Sequence, residues 1–251
     1  MSLATTLRDL HVPGTPLVVP NAWDAASARL IEEAGFGAVA TSSNATAAVL
    51  GYDDGEHAPV ADVLAGAARI ARSVSVPVTV DFERGYRLKP GELVERFVAT
   101  GAAGLNLEDS DPATGTMVDP GEQADFLASV RAAAGDALVI NARIDVFLRK
   151  AGTAEEQLRT AIDRGTKYLA AGADCVYPIG VVDLDLIGTL STQLEGPVNV
   201  VYGQGAHSIA DYAARGAARV SFGPMFQRHL YGVFAASVLP ALQAGRNPFT
   251  G

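Results

Sequence analysis

Eight short apolar strands, each followed by a helical stretch, predict a (β/α)8 barrel, a TIM barrel, for this 251-residue chain. Two further observations point the same way. One phrase recurs, in which an alanine-rich helix runs into a glycine and then a short apolar run: EEAGFGAVATSS, VATGAAGLNLED, LAAGADCVYPIG and AARGAARVSFGP. Its turn glycines are Gly35, Gly101, Gly172 and Gly216. Glycine just past a helix end takes the left-handed cap conformation cheaply, and an apolar run without alternation suits a strand covered on both faces. The unusual polar residues, finally, gather at the carboxyl ends of the strands, where parallel α/β folds bind ligands. A doubly wound open sheet is the alternative architecture.

In chain order, the strand Leu17–Pro20 leads into a helix Asp24–Glu33, and Ala38–Ser42, after the Gly35 turn, into Val60–Ser73. Val78–Glu83 opens after Pro77 and precedes Gly91–Thr100; Gly104–Glu108 precedes Pro120–Ala134. Leu138–Arg143 leads to Thr153–Ala171, and Cys175–Ile179 to Asp183–Leu194. Val198–Tyr202, after Pro197, leads to Ser208–Arg215, and Arg219–Gly223 to a last helix from about Pro224 to Leu242. No linker or low-complexity stretch interrupts the series, so residues 1–251 read as one domain.

Composition narrows the function classes. The chain is 49% hydrophobic and 19% charged, and no apolar run reaches the roughly 18–20 residues of a membrane helix. MSLATTLRDL has no basic region followed by an apolar core, which predicts no secretory leader. The single cysteine, Cys175, rules out an intrachain disulfide and fits a reducing, cytoplasmic setting. A net charge of −9 argues against a nucleic-acid partner but not against a small anionic one, since a local arginine can reverse the field inside a pocket.

Strand two ends in Thr41-Ser42-Ser43-Asn44, strand three in Asp81 and Glu83, strand four in Asn106, Glu108 and Asp109. Strand five carries Asn141, Arg143 and Asp145, and strand seven Asn199 and Tyr202. Residues two apart on a strand share a face, so Asp81 and Glu83 are expected to point together. Carboxylates converging from neighbouring strands, with no histidine or cysteine among them, suit a hard ion, Mg²⁺ or Mn²⁺, at Asp81, Glu83 and Glu108. Arg143 is placed to grip a carboxylate or phosphoryl group bidentately. The competing explanation is a buried ion-pair network joining Arg143 to Asp145 or Glu108.

Other residues signal less. Cys175 sits inside an apolar strand and reads as core; His11, His57, His207 and His229 lack partners at metal-ligand spacing. YGQGAH (Tyr202–His207) lacks the Gly-Lys-Ser/Thr of a phosphate loop. Arg228 suits the barrel mouth or solvent equally.

The stretches LVVPNAWDAASARLIEEAGFGAVATSS, LGYDDGE, PVTVDFERGY, GLNLEDS, INARIDVF and GADCVYP together resemble the isocitrate lyase/phosphoenolpyruvate mutase superfamily. The resemblance implies a barrel whose last helix is exchanged between subunits of a homodimer or homotetramer. It also implies Mg²⁺-dependent chemistry on a 2-oxo or 2-hydroxy acid through an enolate. By the same resemblance Asp81 is the aspartate nearest the metal, Glu83 stands where a second aspartate is usual, and Glu108 is the following glutamate. Asp54 matches the loop aspartate near the metal waters. Ser42, Ser43 and Asn44 fall where the substrate carboxylate is held, and Arg143 where its oxyanion is gripped. Asn199 and Arg228 complete the candidate substrate contacts. The departures are specific: EDSDPATGTMVDPGEQ has neither the lyase branch's Lys-Lys/Arg-Cys-Gly-His loop nor the mutase branch's lysine after Glu-Asp. The expected activity is therefore C–C cleavage or decarboxylation of a small 2-oxo acid or its aldol-type adduct, with Ser110–Asp119 as the candidate lid. P–C chemistry of the mutase or phosphonopyruvate hydrolase type is the enzymatic alternative. A non-catalytic 2-oxo-acid-binding barrel is the alternative of another class.

Overall fold

The computed structural model describes residues 1–150, 152–203, 205 and 207–249. Among them, strand segments pair in parallel in sheets of three and six. They amount to eight strands, because Leu17–Val19 and Asn21–Ala22 are one strand, β1, interrupted at Pro20, which has no N–H to give a ladder. The others are β2 (Val39–Thr41), β3 (Val78–Asp81), β4 (Gly104–Glu108), β5 (Val139–Ile144), β6 (Cys175–Pro178), β7 (Asn199–Val201) and β8 (Arg219–Ser221). The second piece of β1 pairs with β2, and pairing continues in order to β6. One parallel bridge, Val176 to Val198, passes it to β7; β7 pairs with β8, and β8 with the first piece of β1. Pairing thus returns to the strand it started from, which is the expected (β/α)8 barrel.

The helices, in order, are α1 (Leu3–Asp9), α2 (Ala25–Glu33), α3 (Ser43–Leu50), α4 (Val60–Ala71), α5 (Pro90–Val98) and α6 (Pro120–Ala134). They continue with α7 (Val146–Arg149), α8 (Ala154–Ala170), α9 (Leu184–Gln193), α10 (Ile209–Ala214), α11 (Met225–Val233) and α12 (Leu239–Gln243). Asp24, Thr153, Asp183 and Ser208, the expected helix starts, are N-caps, and all but Asp183 close capping boxes. The last helix is not continuous: a π turn, Phe234–Val238, precedes Pro240, which cannot donate to the preceding turn. Phe226, Leu230, Tyr231, Val233, Phe234, Leu239 and Leu242 along this segment are exposed.

Three helices are additions to the sequence reading: α1, α3 and α7. Leu7 of α1 is fully buried against Leu17, Val19, Ala38, Ala40, Ala103 and Val139, at the amino ends of the strands, so α1 plugs that end of the barrel. Gly104 permits this approach, since a Cβ there would lie 2.8 Å from the Val139 carbonyl oxygen and 2.9 Å from Leu7 Cδ2. With its amino end sealed by hydrocarbon, the barrel is left with one open rim, at the carboxyl ends of the strands.

Candidate active site

A cavity of about 220 Å³ opens at that rim, lined among others by Asn21, Asp81, Asn106, Arg143, Tyr177 and Arg219. Ser42, Ser43, Asn44, Asp54 and Arg228, all expected from sequence, also line it. A larger hollow of about 390 Å³ lies outside the strands between α2, α3 and α4, behind Thr41 and Val80. Its lining is mostly apolar and holds no converging acids, so the rim cavity is where chemistry can occur.

Asp81, the last residue of β3, presents its carboxylate to the first turn of α3. Oδ2 accepts the Ser43 backbone N–H at 3.0 Å, while Oδ1 is buried without a hydrogen-bond partner. Ser42 is the N-cap of α3, so the run read as the end of a strand is instead the start of a helix, whose first residues line the cavity. Arg228, from α11, donates to Asn44 Oδ1 at 2.9 Å. Buried Gln227 beside it donates to the Ala45 carbonyl at 2.9 Å, pinning α11 to α3.

Arg143 sits inside an ion-pair network. Its Nη1 lies 2.6 Å from Glu108 Oε2 and its Nε 2.7 Å from Asp145 Oδ1. Although burial opposes its charge, Glu108 and Asp145 hold this guanidinium protonated well above its ordinary value. Burial pushes the Glu108 carboxyl upward against the pull of Arg143, and the charges of Asp145, Asp81 and Glu83 add to the rise. The network that competed with the ligand site therefore exists, and the cavity exists beside it.

The expected pairing of Asp81 with Glu83 on one face is corrected. β3 ends at Asp81, and Glu83 has φ of 49°, so strand alternation does not reach it. Its carboxylate turns to accept Glu56 N–H and Tyr86 O–H, each at 2.6 Å. Burial raises Glu83 to about 7 despite the Tyr86 hydrogen bond. Among the described residues no three or more His, Cys, Asp or Glu side chains converge as a metal-holding group. Of the expected trio, Asp81 lines the cavity, Glu108 is held by Arg143, and Glu83 by the Glu56–Tyr86 loop. Asn199 is fully buried and donates to Ser221 Oγ at 3.2 Å rather than lining the cavity. Ser110, at the head of the expected lid, is fully buried and bonded to Asp145 Oδ2 at 2.7 Å, and a bridge to Met117 closes the turn.

Sequence reasoning did not single out Asn21, Tyr177, Arg219 or Ser221 for the site. Asn21 ties three strands at the rim, donating to the Thr41 carbonyl at 2.6 Å and accepting from Phe222 N–H at 2.8 Å. Arg219 had a readable signal, a charged residue inside the apolar run ARVSF. Cys175 is fully buried, and burial pushes its thiol up to about 12, in keeping with core. Of the YGQGAH segment, Gln204 and Ala206 lie outside the described residues.

A carboxylate, arginines and a helix N-terminus thus share one small cavity at the carboxyl rim, the end where such barrels bind ligands. The family follows from comparison: residues 7–240 match the profile described as phosphoenolpyruvate phosphomutase, and the chain belongs to the phosphoenolpyruvate mutase family. An uncharacterized Mycobacterium tuberculosis protein is 33% identical over 92% of this chain and 86% of its own. An oxaloacetate decarboxylase of Rhodopseudomonas palustris is 31% identical over 82% of this chain and 73% of its own. Among solved structures, a Burkholderia cenocepacia protein provisionally called a phosphonomutase superposes with TM-score 0.89 at 39% identity, covering 94% of this chain and 98% of that one. A phosphonopyruvate hydrolase solved with oxalate and Mg²⁺ superposes with TM-score 0.85 at 25% identity, covering 98% and 89%. Other similar proteins include a 2-methylisocitrate lyase of Escherichia coli, 29% identical over 75% of this chain and 69% of its own, and a 2,3-dimethylmalate lyase of the phosphoenolpyruvate mutase/isocitrate lyase superfamily, 25% identical with TM-score 0.86. No helix among the described residues is long and apolar enough to cross a membrane.

Proposed function

We propose that this chain is a Mg²⁺-dependent lyase that cleaves or decarboxylates a small 2-oxo acid, or its aldol-type adduct, through an enolate. The observation behind this reading is Asp81, a rim carboxylate with one buried oxygen that no protein group satisfies, in a cavity shared with Arg143 and the start of α3. Mg²⁺ is commonly held by one or two carboxylates, with water and substrate oxygens filling its other positions. Asp81 Oδ1 fits that role. When bound, the ion supplies Lewis-acid polarisation of the substrate's 2-oxo group. The first turn of α3, with Ser42, Ser43 and Asn44, receives the substrate carboxylate, and Arg228 steadies Asn44. Arg143, held rigid by Glu108 and Asp145, faces the oxygen on which enolate charge grows, and preorganisation makes its contribution largest in the transition state. Asp54, exposed and lining the cavity, would exchange a proton at the rim. We further propose a cytoplasmic homodimer or homotetramer, a reading supported by the exposed apolar side chains of α11 and α12.

The test is proton exchange at C3 of pyruvate in deuterated buffer with Mg²⁺, followed by NMR. Exchange should require the ion, and Asp81→Ala should slow it by about 100-fold or more. Binding of 2-oxo acids without exchange or turnover would favour the non-catalytic barrel. Phosphate release from phosphonopyruvate would favour P–C chemistry, which the phosphonomutase- and hydrolase-like structures keep in view.

A further inference from the structure

The cavity holds two buried guanidiniums in opposite situations. Arg143 is neutralised by two carboxylates. Arg219 is 1% exposed and lines the same cavity, yet among the described residues it forms no ion pair, and its Nε and Nη1 have no hydrogen-bond partner. A buried, unpaired cation is costly, and folds keep one only where something compensates it. The surroundings do so only in part: Cys175 and Tyr177 on β6 are neutral groups, and the Asp81 charge favours the Arg219 cation without forming an ion pair with it. His11, on the sealed side, is kept neutral. Arg219 lies level with Asn199 in the β7–β8 register, and Ser221, two residues on, lines the cavity as well. Arg219 is thus short of an anionic, accepting group.

We propose that Arg219 is a specificity-determining residue that binds a second carboxylate on the substrate, selecting small 2-oxo dicarboxylates over 2-oxo monocarboxylates. The inference rests on the proposed 2-oxo-acid site and adds which acids it takes. One carboxylate, with the 2-oxo group, engages α3 and the Asp81–Arg143 side; the other pairs with Arg219. A guanidinium reaching a carboxylate in a water-poor cavity gains a charge-assisted hydrogen bond that a methyl terminus cannot replace.

The test is calorimetric titration with Mg²⁺ present, using 3,3-difluoro-oxaloacetate and 2-oxopentanoate, which reaches as far but lacks the second charge. Pyruvate serves as the common-core control. Wild type should prefer the dicarboxylate by about 10- to 100-fold. Arg219→Met should erase that preference while changing pyruvate binding less than about 3-fold, and Arg219→Lys should retain part of it. Ligand-free Arg219→Met should also melt higher by roughly 2–6 °C, because the unpaired charge is gone; a purely structural arginine would move Tm the other way. An unchanged preference in either variant overturns the proposal, and so does an equal loss for all three acids. If Arg219→Met does not fold, the charge-retaining lysine variant decides by the same criterion. Wild type that binds none of the acids with Mg²⁺ would overturn the parent reading as well, whereas acid binding indifferent to Arg219 would overturn this proposal alone.

Discussion

Asp81 and Asp109 are carboxylates at the ends of neighbouring strands, and they meet opposite fates. Asp109 is fully buried with both oxygens occupied: Oδ1 accepts Asp145 N–H at 2.9 Å, and Oδ2 accepts Arg164 Nη1 at 3.0 Å and Tyr168 O–H at 2.8 Å. Asp81 has one oxygen bonded to Ser43 and one bonded to nothing. Charge, side-chain length and position in the barrel are alike, so residue type does not separate structure from function here. Satisfaction does. A closed network around a buried acid holds elements together, here β4, β5 and α8, whereas an open one leaves capacity for a ligand.

The largest effect that would break or uphold this comparison is on stability. Asp109→Ala removes the acid and strands Arg164 in the interior, which should cost about 3–5 kcal/mol. Asp81→Asn, which keeps the shape and strands no paired cation, should cost less than about 1 kcal/mol. Urea denaturation of both variants checks it. Equal losses would mean that Asp81 is as structural as Asp109.

His11 sharpens the comparison from the sealed end, where an unsatisfied atom is not a ligand site. Its Nδ1 meets the Leu7 carbonyl at 2.7 Å, and its Nε2 is buried without a partner. Burial, aided by the charge of Arg219, pushes its pKa from 6.5 down to about 4, against the raising influence of the Leu7 carbonyl and Asp174. The folded ring is neutral and the unfolded one protonates first, so the unfolded state binds more protons between these values. Stability is fully present above about pH 6.5 and is lost as pH falls toward about 4, by about 3 kcal/mol. Urea midpoints measured across that window should fall more steeply for wild type than for His11→Gln. Parallel slopes would show that the ring does not titrate as its burial requires.

The barrel was legible because its signals are local and repeated: helix, glycine and apolar strand recur four times, and strands opening after Pro77 and Pro197 extend the series. Polar stations at strand ends were legible too, and Asp81, Arg143, Ser42–Asn44, Asp54 and Arg228 do share one cavity. What was not legible depends on where alternation stops. Glu83 is two residues after Asp81, but a positive φ between strand and turn sends it elsewhere. Ser43, read in the polar run that ends strand two, opens a helix instead: Asp81 accepts its N–H, and Ser42 stands at the N-cap without a side-chain capping bond. Arg219 is visible as a charge inside the apolar run ARVSF, but that it forms no ion pair among the described residues cannot be read along one chain.

Arg84 supplies the smallest effect and the control for the others. It follows Glu83 directly, carries a full charge, and had no role that sequence could assign. In the structure its Nη2 lies 2.8 Å from Glu122 Oε1 on α6, with Glu122 63% exposed. Such a pair gains little Coulomb energy in a high-dielectric surrounding and is screened by salt. Arg84→Ala should therefore cost less than about 1 kcal/mol, and the difference from wild type should shrink as salt is raised. Urea midpoints at low and high ionic strength measure it. Arg84 also has a buried Nε without a partner, and its backbone N–H serves the Glu56 carboxylate that braces the Glu83 loop. A salt-insensitive loss well above 1 kcal/mol would mean that the side chain supports this loop from within, and that the exposed ion pair is incidental. The boundary between closed and open polar clusters would then run through the Glu83 loop, not between Asp109 and Asp81.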